Sequence, residues 1–352
     1  MSEHRIKLGI SLGDLNGIGP EVAVKTFSDK RMLDFCTPIF FGSHKLSSFL
    51  ANEYGHAEMR FQNIRKLDEL RHNVPNMMHC WDEDLKIEPG QMNEAGGKAA
   101  FLSLTKATEA LKNGEIDALV TAPIHKHGIK SENFPFNGHT EFLEDYFGDK
   151  SLMILMHENL RVALVTGHIP LKEVSEKLTQ EAIFSKLNLF RDSLKKDFSV
   201  RNPIIAVLGL NPHNGDEGEM GTEESEIIKP ALAKAREKGI QVFGPFPADG
   251  FFGTGKHEQF DGVLAMYHDQ GLTPFKTLAF ENGVNFTAGL PVVRTSPDHG
   301  TAFDIAGKNV ADESSFRQAV YAAIDIFRNR KMTEQLSSNI LPNHSPPKGR
   351  RK

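Results

Sequence analysis

Three histidines follow three apolar runs. His168 comes after RVALVT, His213 after IIAVLGL and His268 after GVLAMY, too far apart in the chain to share a local motif. Neutral imidazole ligates zinc and other late first-row divalent ions, and three such rings with one position left open make a catalytic metal site. Asp249 and Asp269 are candidates to accept hydrogen bonds from the far ring nitrogens and so orient the rings. The plain alternative is that a histidine at a strand end hydrogen-bonds its own loop. Fifteen histidines are present, and His157 reads as that case.

A second set is suited to anions. Lys276, Asn285 and Arg294 stand in PFKTLAFENGVNFTAGLPVVRTSP, where an ammonium, an amide and a guanidinium can together hold a phosphate or carboxylate. Upstream, DALVTAPIHKHGI and FNGHTEFL contribute Thr121, His125, Lys126, His139 and Thr140 after another apolar run. Alone, Lys126 would be a solvated charge. Beside two other polar segments it becomes a substrate contact.

These residues need a scaffold that brings strand ends together. Short apolar runs (KLGISL, TPIFFG, DALVTA, SLMILM, RVALVT, PIIAVLGL, GVLAMY) alternate with segments of helical period. Helices are expected over Gly97 to Asn113, Glu223 to Lys238 and Asp312 to Arg330, the last ending in a basic turn that suits the helix dipole. Such alternation implies an α/β protein with a largely parallel sheet, in which ligands bind beyond the carboxyl ends of the strands. SLMILMHENLRVALVT departs from it and reads as an antiparallel hairpin.

The chain has 352 residues, enough for two domains, with 39% hydrophobic and 25% charged residues and a net charge of −5. That balance gives no hint of nucleic-acid affinity. Cys36 and Cys80 lack CxxC spacing, which argues against disulfides and zinc ribbons and fits a reducing cytoplasm. No secretory leader and no apolar run near the ~20 residues of a membrane span is read. The expectation is a cytosolic enzyme or binding protein.

The opening SLGDLNGIGPE looks at first like a dinucleotide cradle, but Val22 stands where GxGxxG from Gly17 needs its last glycine, and no acidic residue ends the next strand. It reads instead as a strand-to-helix turn, with Gly17 and Gly19 allowing a tight path and Pro20 starting the helix. Asp14 remains a possible site residue.

Taken together, GDLNGIGPE, TAPIHK, FNGHTEFL, TGHIPL, NPHNGDEG, MYHDQGL, GVNFTAGLP and RTSPDHGTAFDIAGK resemble the 4-hydroxythreonine-4-phosphate dehydrogenase family of pyridoxal-phosphate biosynthesis, in the family order over about residues 5 to 330. Leu15-Asn16 replaces the Pro-Ala common in that family. The resemblance implies two α/β/α domains with a largely parallel mixed sheet, similar to isocitrate and isopropylmalate dehydrogenases and not of Rossmann type. Residues 1–130 with about 300–336 would form one domain. About 131–299 would form the other, with the metal site and dimer interface, and 337–352 would be a disordered basic tail.

It further implies His168, His213 and His268 as ligands of one divalent metal (zinc, magnesium or cobalt), shared between the subunits of a homodimer. His139, Thr140, Lys276, Asn285 and Arg294 would contact substrate. The implied reaction oxidises 4-phosphooxy-L-threonine with NAD or NADP to 2-amino-3-oxo-4-phosphooxybutanoate, which decarboxylates to 3-amino-2-oxopropyl phosphate. Lys276, Asp249, Asp269 or a water would be the general base; the nucleotide-contacting residues are not placed. A paralogous reading is oxidation of 4-phospho-D-erythronate or D-threonate 4-phosphate in sugar-acid catabolism. A metal-dependent hydrolase or aldolase, or a phosphate-ligand binding protein, would fit parts of the pattern.

Overall fold

The computed structural model describes residues 5–55, 59–129, 134–136 and 138–338, with the backbone alone at 126 and 127. The seven apolar runs form β1 (Lys7–Ser11), β2 (Thr37–Gly42), β5 (Ala118–Thr121), β6 (Leu152–His157), β7 (Leu160–Leu164), β8 (Ile204–Leu208) and β10 (Gly262–Ala265). Five more strands complete the sheet: β3 (Gln62–Ile64), β4 (Asn76–His79), β9 (Gln241–Phe246), β11 (Val284–Ala288) and β12 (Arg294–Pro297).

All twelve lie in one sheet of order β3-β4-β2-β1-β5-β12-β11-β6-β7-β10-β8-β9. This is not the 3-2-1-4-5-6 order of a dinucleotide-binding sheet. Pairing is parallel except at β6–β7, β6–β11 and β11–β12, so the sheet is mixed and largely parallel. The expected hairpin is β6–β7, with His157 opposite Leu160 and Glu158 at positive φ in the turn.

The centre of the sheet explains how the site is placed. β12 pairs in parallel with β5 and antiparallel with β11, joining strands distant in sequence. Side chains alternate faces along a strand. Thr295 points to one face, where its hydroxyl donates to the Ala319 carbonyl (2.7 Å) of the helix Ser314–Ser338. Arg294 and Ser296 therefore take the other face. Apolar core runs beneath both flanks, from Leu8, Ile10 and Val120 to Ile205, Val207 and Leu264, all fully buried.

The helix Glu94–Lys112 is capped by the Asn93 side chain, which accepts from the Gly96 N–H, and buries the expected stripe of Ala100, Leu104, Ala107 and Leu111. The second expected helix changes pitch. A π turn, Glu224–Ile228, precedes the α-helix Lys229–Glu237. Pro230 has no N–H for the Glu226 carbonyl, which accepts from the Gln180 side chain instead (3.0 Å). The third runs past its expected end to Ser338. Arg330 is thus no dipole-facing terminus but a buried side chain, donating to Asp197 (2.6 Å) and to the Leu290 and Val292 carbonyls. Of the expected tail, residues 337 and 338 are the end of this helix, and the rest lies outside the described residues.

In the opening turn it is Gly13 that takes positive φ. Gly17 is needed for close approach: a Cβ there would come 2.8 Å from the Thr301 carbonyl oxygen. Asp14 is buried, accepts from the Asn16 N–H (3.0 Å) and has its pKa raised by that burial. Cys36 and Cys80 are free thiols pushed up to about 12 by burial. Among the described residues no helix is long and apolar enough to cross a membrane.

Candidate active site

A cavity of about 320 Å³ lies against one face of β5, β12, β11 and β6. Its floor is the face of the central strands, and segments beyond the carboxyl ends of β5, β7, β10 and β12 complete its lining.

Arg294 opens β12 and is 2% exposed. Its Nε and Nη2 donate to the Thr121 hydroxyl at the end of β5 (3.0 and 2.6 Å), and Nη1 donates to the Thr287 hydroxyl (3.0 Å). The register sets Phe286 opposite Thr295, which brings Thr287 level with Arg294 on the cavity face. Both acceptors are neutral. Burial lowers the Arg294 pKa to about 9, partly offset by Glu141. Among the described residues no carboxylate lies within ion-pair distance. A buried cation with only neutral partners is costly, and a bound anion would relieve that cost.

His139 and Thr140 begin the helix His139–Phe147, whose N-terminus faces the cavity. The His139 Nε2 is buried without a hydrogen-bond partner among the described residues, and burial, with Arg294 next, holds its pKa well below 6.5. The Asn285 Oδ1 on β11 is likewise buried and unpartnered. Such orphaned polar atoms around one space are what a polar ligand would satisfy.

The helix His268–Ala279 supplies His268, Leu272 and Lys276 at i, i+4 and i+8, all lining the cavity. The Lys276 ammonium lies 3.3 Å from the Asp298 carboxylate and donates to the Asp298 carbonyl (3.2 Å). The rings of His168 and His268 have centroids 5.3 Å apart. His268 Nδ1 and the Asp269 carboxylate are 2.7 Å apart. That contact makes Nδ1 the protonated nitrogen and leaves the Nε2 lone pair for a metal.

His213 does not join them within one chain. β7 and β10 are neighbours, so their loops meet, whereas β8 lies beyond β10. The loop after β8 runs through left-handed backbone from His213 to Glu217 and is held by buried Glu224, which accepts from the Leu210 and Asn211 N–H groups (2.7 Å each). His213 lines a second cavity of about 500 Å³ with Asp249, Tyr267 and Gln270. Among the described residues no three His, Cys, Asp or Glu cluster as a metal site. Of the three candidate bases, only Lys276 lines the first cavity; Asp269 is turned to His268 and Asp249 to the second cavity.

Asp14 lines neither cavity, and the Lys126 side chain lies outside the described residues. Sequence reasoning did not single out Glu141, Ser296, Asp298 and His299, all of which line the first cavity. Asp298 and His299 stand in RTSPDHGT beside Arg294, but no spacing shows that a carboxylate there meets Lys276.

The pyridoxal phosphate biosynthetic protein PdxA family model matches residues 34–323. A 4-hydroxythreonine-4-phosphate dehydrogenase of Bacteroides thetaiotaomicron is 52% identical over 97% of this chain and 94% of its own. A putative D-threonate 4-phosphate dehydrogenase of Oceanobacillus iheyensis is 37% identical over 91% of this chain and 97% of its own. The crystal structure of 4-hydroxythreonine-4-phosphate dehydrogenase from Klebsiella pneumoniae is similar with a TM-score of 0.78 and 33% identity, covering 93% of this chain and 98% of the other. The chain belongs to the PdxA family of pyridoxal phosphate biosynthetic proteins.

Proposed function

We propose that this chain is a 4-hydroxythreonine-4-phosphate dehydrogenase. It oxidises the C3 hydroxyl of 4-phosphooxy-L-threonine with NAD⁺ or NADP⁺, and the resulting β-keto acid loses CO₂ to give 3-amino-2-oxopropyl phosphate. The observation that carries the proposal is Arg294, a buried guanidinium whose partners among the described residues are threonine hydroxyls, facing a cavity that also holds Lys276, His139, Thr140 and Asn285. Those groups would bind the phosphate and carboxylate through charge-assisted hydrogen bonds.

His168 and His268 present the donor set of a late divalent ion such as zinc or cobalt, with magnesium a further candidate. His213 of a second copy would complete the set in a homodimer. When bound, the ion supplies Lewis acidity to the C3 oxygen. In the oxidation the C3 hydrogen leaves as hydride to the nicotinamide and the hydroxyl proton passes to a base; Lys276 lines the cavity and would serve as that base only after its ammonium has given up a proton. In the decarboxylation the electrons of the C–CO₂ bond move toward the new carbonyl, beside the cationic groups of the same cavity. We place the protein in the cytoplasm, and take the residues up to about 130 with about 300–336 as one lobe and about 131–299 as the other.

A second reading, oxidation of a sugar-acid 4-phosphate, is favoured by the Oceanobacillus relative. Reduction of NAD⁺ or NADP⁺ on adding each substrate tests both: turnover of 4-phosphooxy-L-threonine supports the proposal, and turnover of the sugar-acid phosphate alone replaces it.

A further inference from the structure

Among the described residues two carboxylates line the cavity, Glu141 and Asp298, together with the cations Lys276 and Arg294. Asp298 is taken by Lys276. Glu141 has no hydrogen bond and no ion pair among the described residues, although it stands close enough to Arg294 to affect its proton affinity. Its place in the first turn of the helix His139–Phe147 suits the helix dipole, but that effect would work equally from the solvent side. Gly138, just before the helix, adds no side chain between this carboxylate and the cavity; a Cβ there would lie 3.4 Å from Glu141 Oε2.

An unpaired carboxylate works against a ligand that is anionic throughout. A sugar-acid phosphate carries a phosphate of about two negative charges and a carboxylate, and its 2-hydroxyl offers Glu141 a neutral donor but no cation. A phosphorylated 2-amino acid carries the same anions and an ammonium, which can take the place of the missing partner of Glu141.

We infer that Glu141 is the specificity-determining residue that reads the 2-ammonium group, selecting a phosphorylated 2-amino-3-hydroxy acid over its 2-hydroxy analogue. This rests on the oxidation proposed above. Arg294 holds an anionic group of the substrate, and Glu141 answers the cationic group beside it, so the polarity of the pair matches that of an amino acid.

The test compares kcat/KM for 4-phosphooxy-L-threonine and for 4-phospho-D-erythronate in the full chain and in Glu141→Gln, with binding of each compound measured by calorimetry without nucleotide. Gln keeps the shape and removes the charge. The preference for the amino substrate is expected to fall about tenfold or more in Glu141→Gln, through KM rather than kcat, and Glu141→Asp is expected to retain part of it. An equal loss for both substrates, or an equal gain through relief of Arg294, would overturn the inference while leaving the oxidation standing. If the unaltered chain neither binds nor oxidises either compound, the oxidation itself is overturned, and the inference with it.

Discussion

Lys276 and Asp298 meet twice: the ammonium lies 3.3 Å from the carboxylate and 3.2 Å from the backbone carbonyl of the same residue. Asp298 is itself fixed, because its N–H lies 3.2 Å from both the Ser315 hydroxyl and the Gly283 carbonyl, and Ser315 in turn donates to Gly283 (2.7 Å). The position of Lys276 in the cavity is thus set from the long C-terminal helix. Asp298→Ala should release Lys276 and lower kcat about 10- to 100-fold with nucleotide affinity unchanged, since small misplacements at a reacting centre cost that much. Asp298→Asn, whose side-chain oxygen can still accept from the ammonium beside the unchanged backbone contact, should lose less. Steady-state kinetics with separate titration of the nucleotide checks this; a change confined to nucleotide affinity would reassign Asp298.

Arg294→Ala should raise KM for the phosphorylated substrate about 30-fold or more, corresponding to about 2 kcal/mol, with little effect on nucleotide affinity. The fold should survive, because the change removes a buried cation that has no ion-pair partner among the described residues. Equal effects on substrate and nucleotide would show that Arg294 serves both.

His268 depends on Asp269 for its tautomer. Asp269→Asn should weaken divalent-ion affinity about 10- to 100-fold while activity returns at saturating metal. His213→Ala should abolish metal-dependent NADH production and leave the fold intact, which calorimetry and circular dichroism read separately. Full activity of His213→Ala in chelator-treated protein would remove His213 from the site.

Burial holds the His139 pKa well below 6.5. In the unfolded chain His139 takes up a proton near pH 6.5, while in the folded chain it stays neutral to lower pH. The unfolded state therefore binds more protons in that window, and stability falls as pH drops from about 6.5 toward the folded value. His299 is shifted in the same direction by its own burial and adds to the slope. His139→Asn should flatten part of the melting temperature curve between about pH 6.5 and pH 5. An unchanged slope would mean that His139 is protonated in the folded protein.

The sequence made the buried strands legible because each is apolar on both faces, which leaves an uninterrupted run such as TPIFFG or IIAVL. It did not show β12. RTSP carries a charge and a proline, and its strand geometry comes from lying between β5 and β11. The same holds for the site. Arg294, Asn285 and Lys276 stand out as anion-binding types, yet that Arg294 leans on Thr121 and Thr287 follows only from the pairing register. Three histidines at three strand ends were visible as a set. The strand order parts them, placing His168 beside His268 and His213 at another cavity. Gly17 was legible as a turn residue, but its reason, the Thr301 carbonyl against it, is a contact between distant parts of the chain.

A metal-dependent oxidation of a phosphorylated amino acid is proposed for the cavity around Arg294. Its most direct measurement is the initial rate of NADH or NADPH formation from 4-phosphooxy-L-threonine and from 4-phospho-D-erythronate, each with and without chelator and after divalent ion is restored. Turnover of the amino substrate that chelation abolishes and added metal restores is expected, with the sugar-acid phosphate much slower. Reduction of nucleotide that is indifferent to the chelator, or confined to the sugar-acid phosphate, would contradict it.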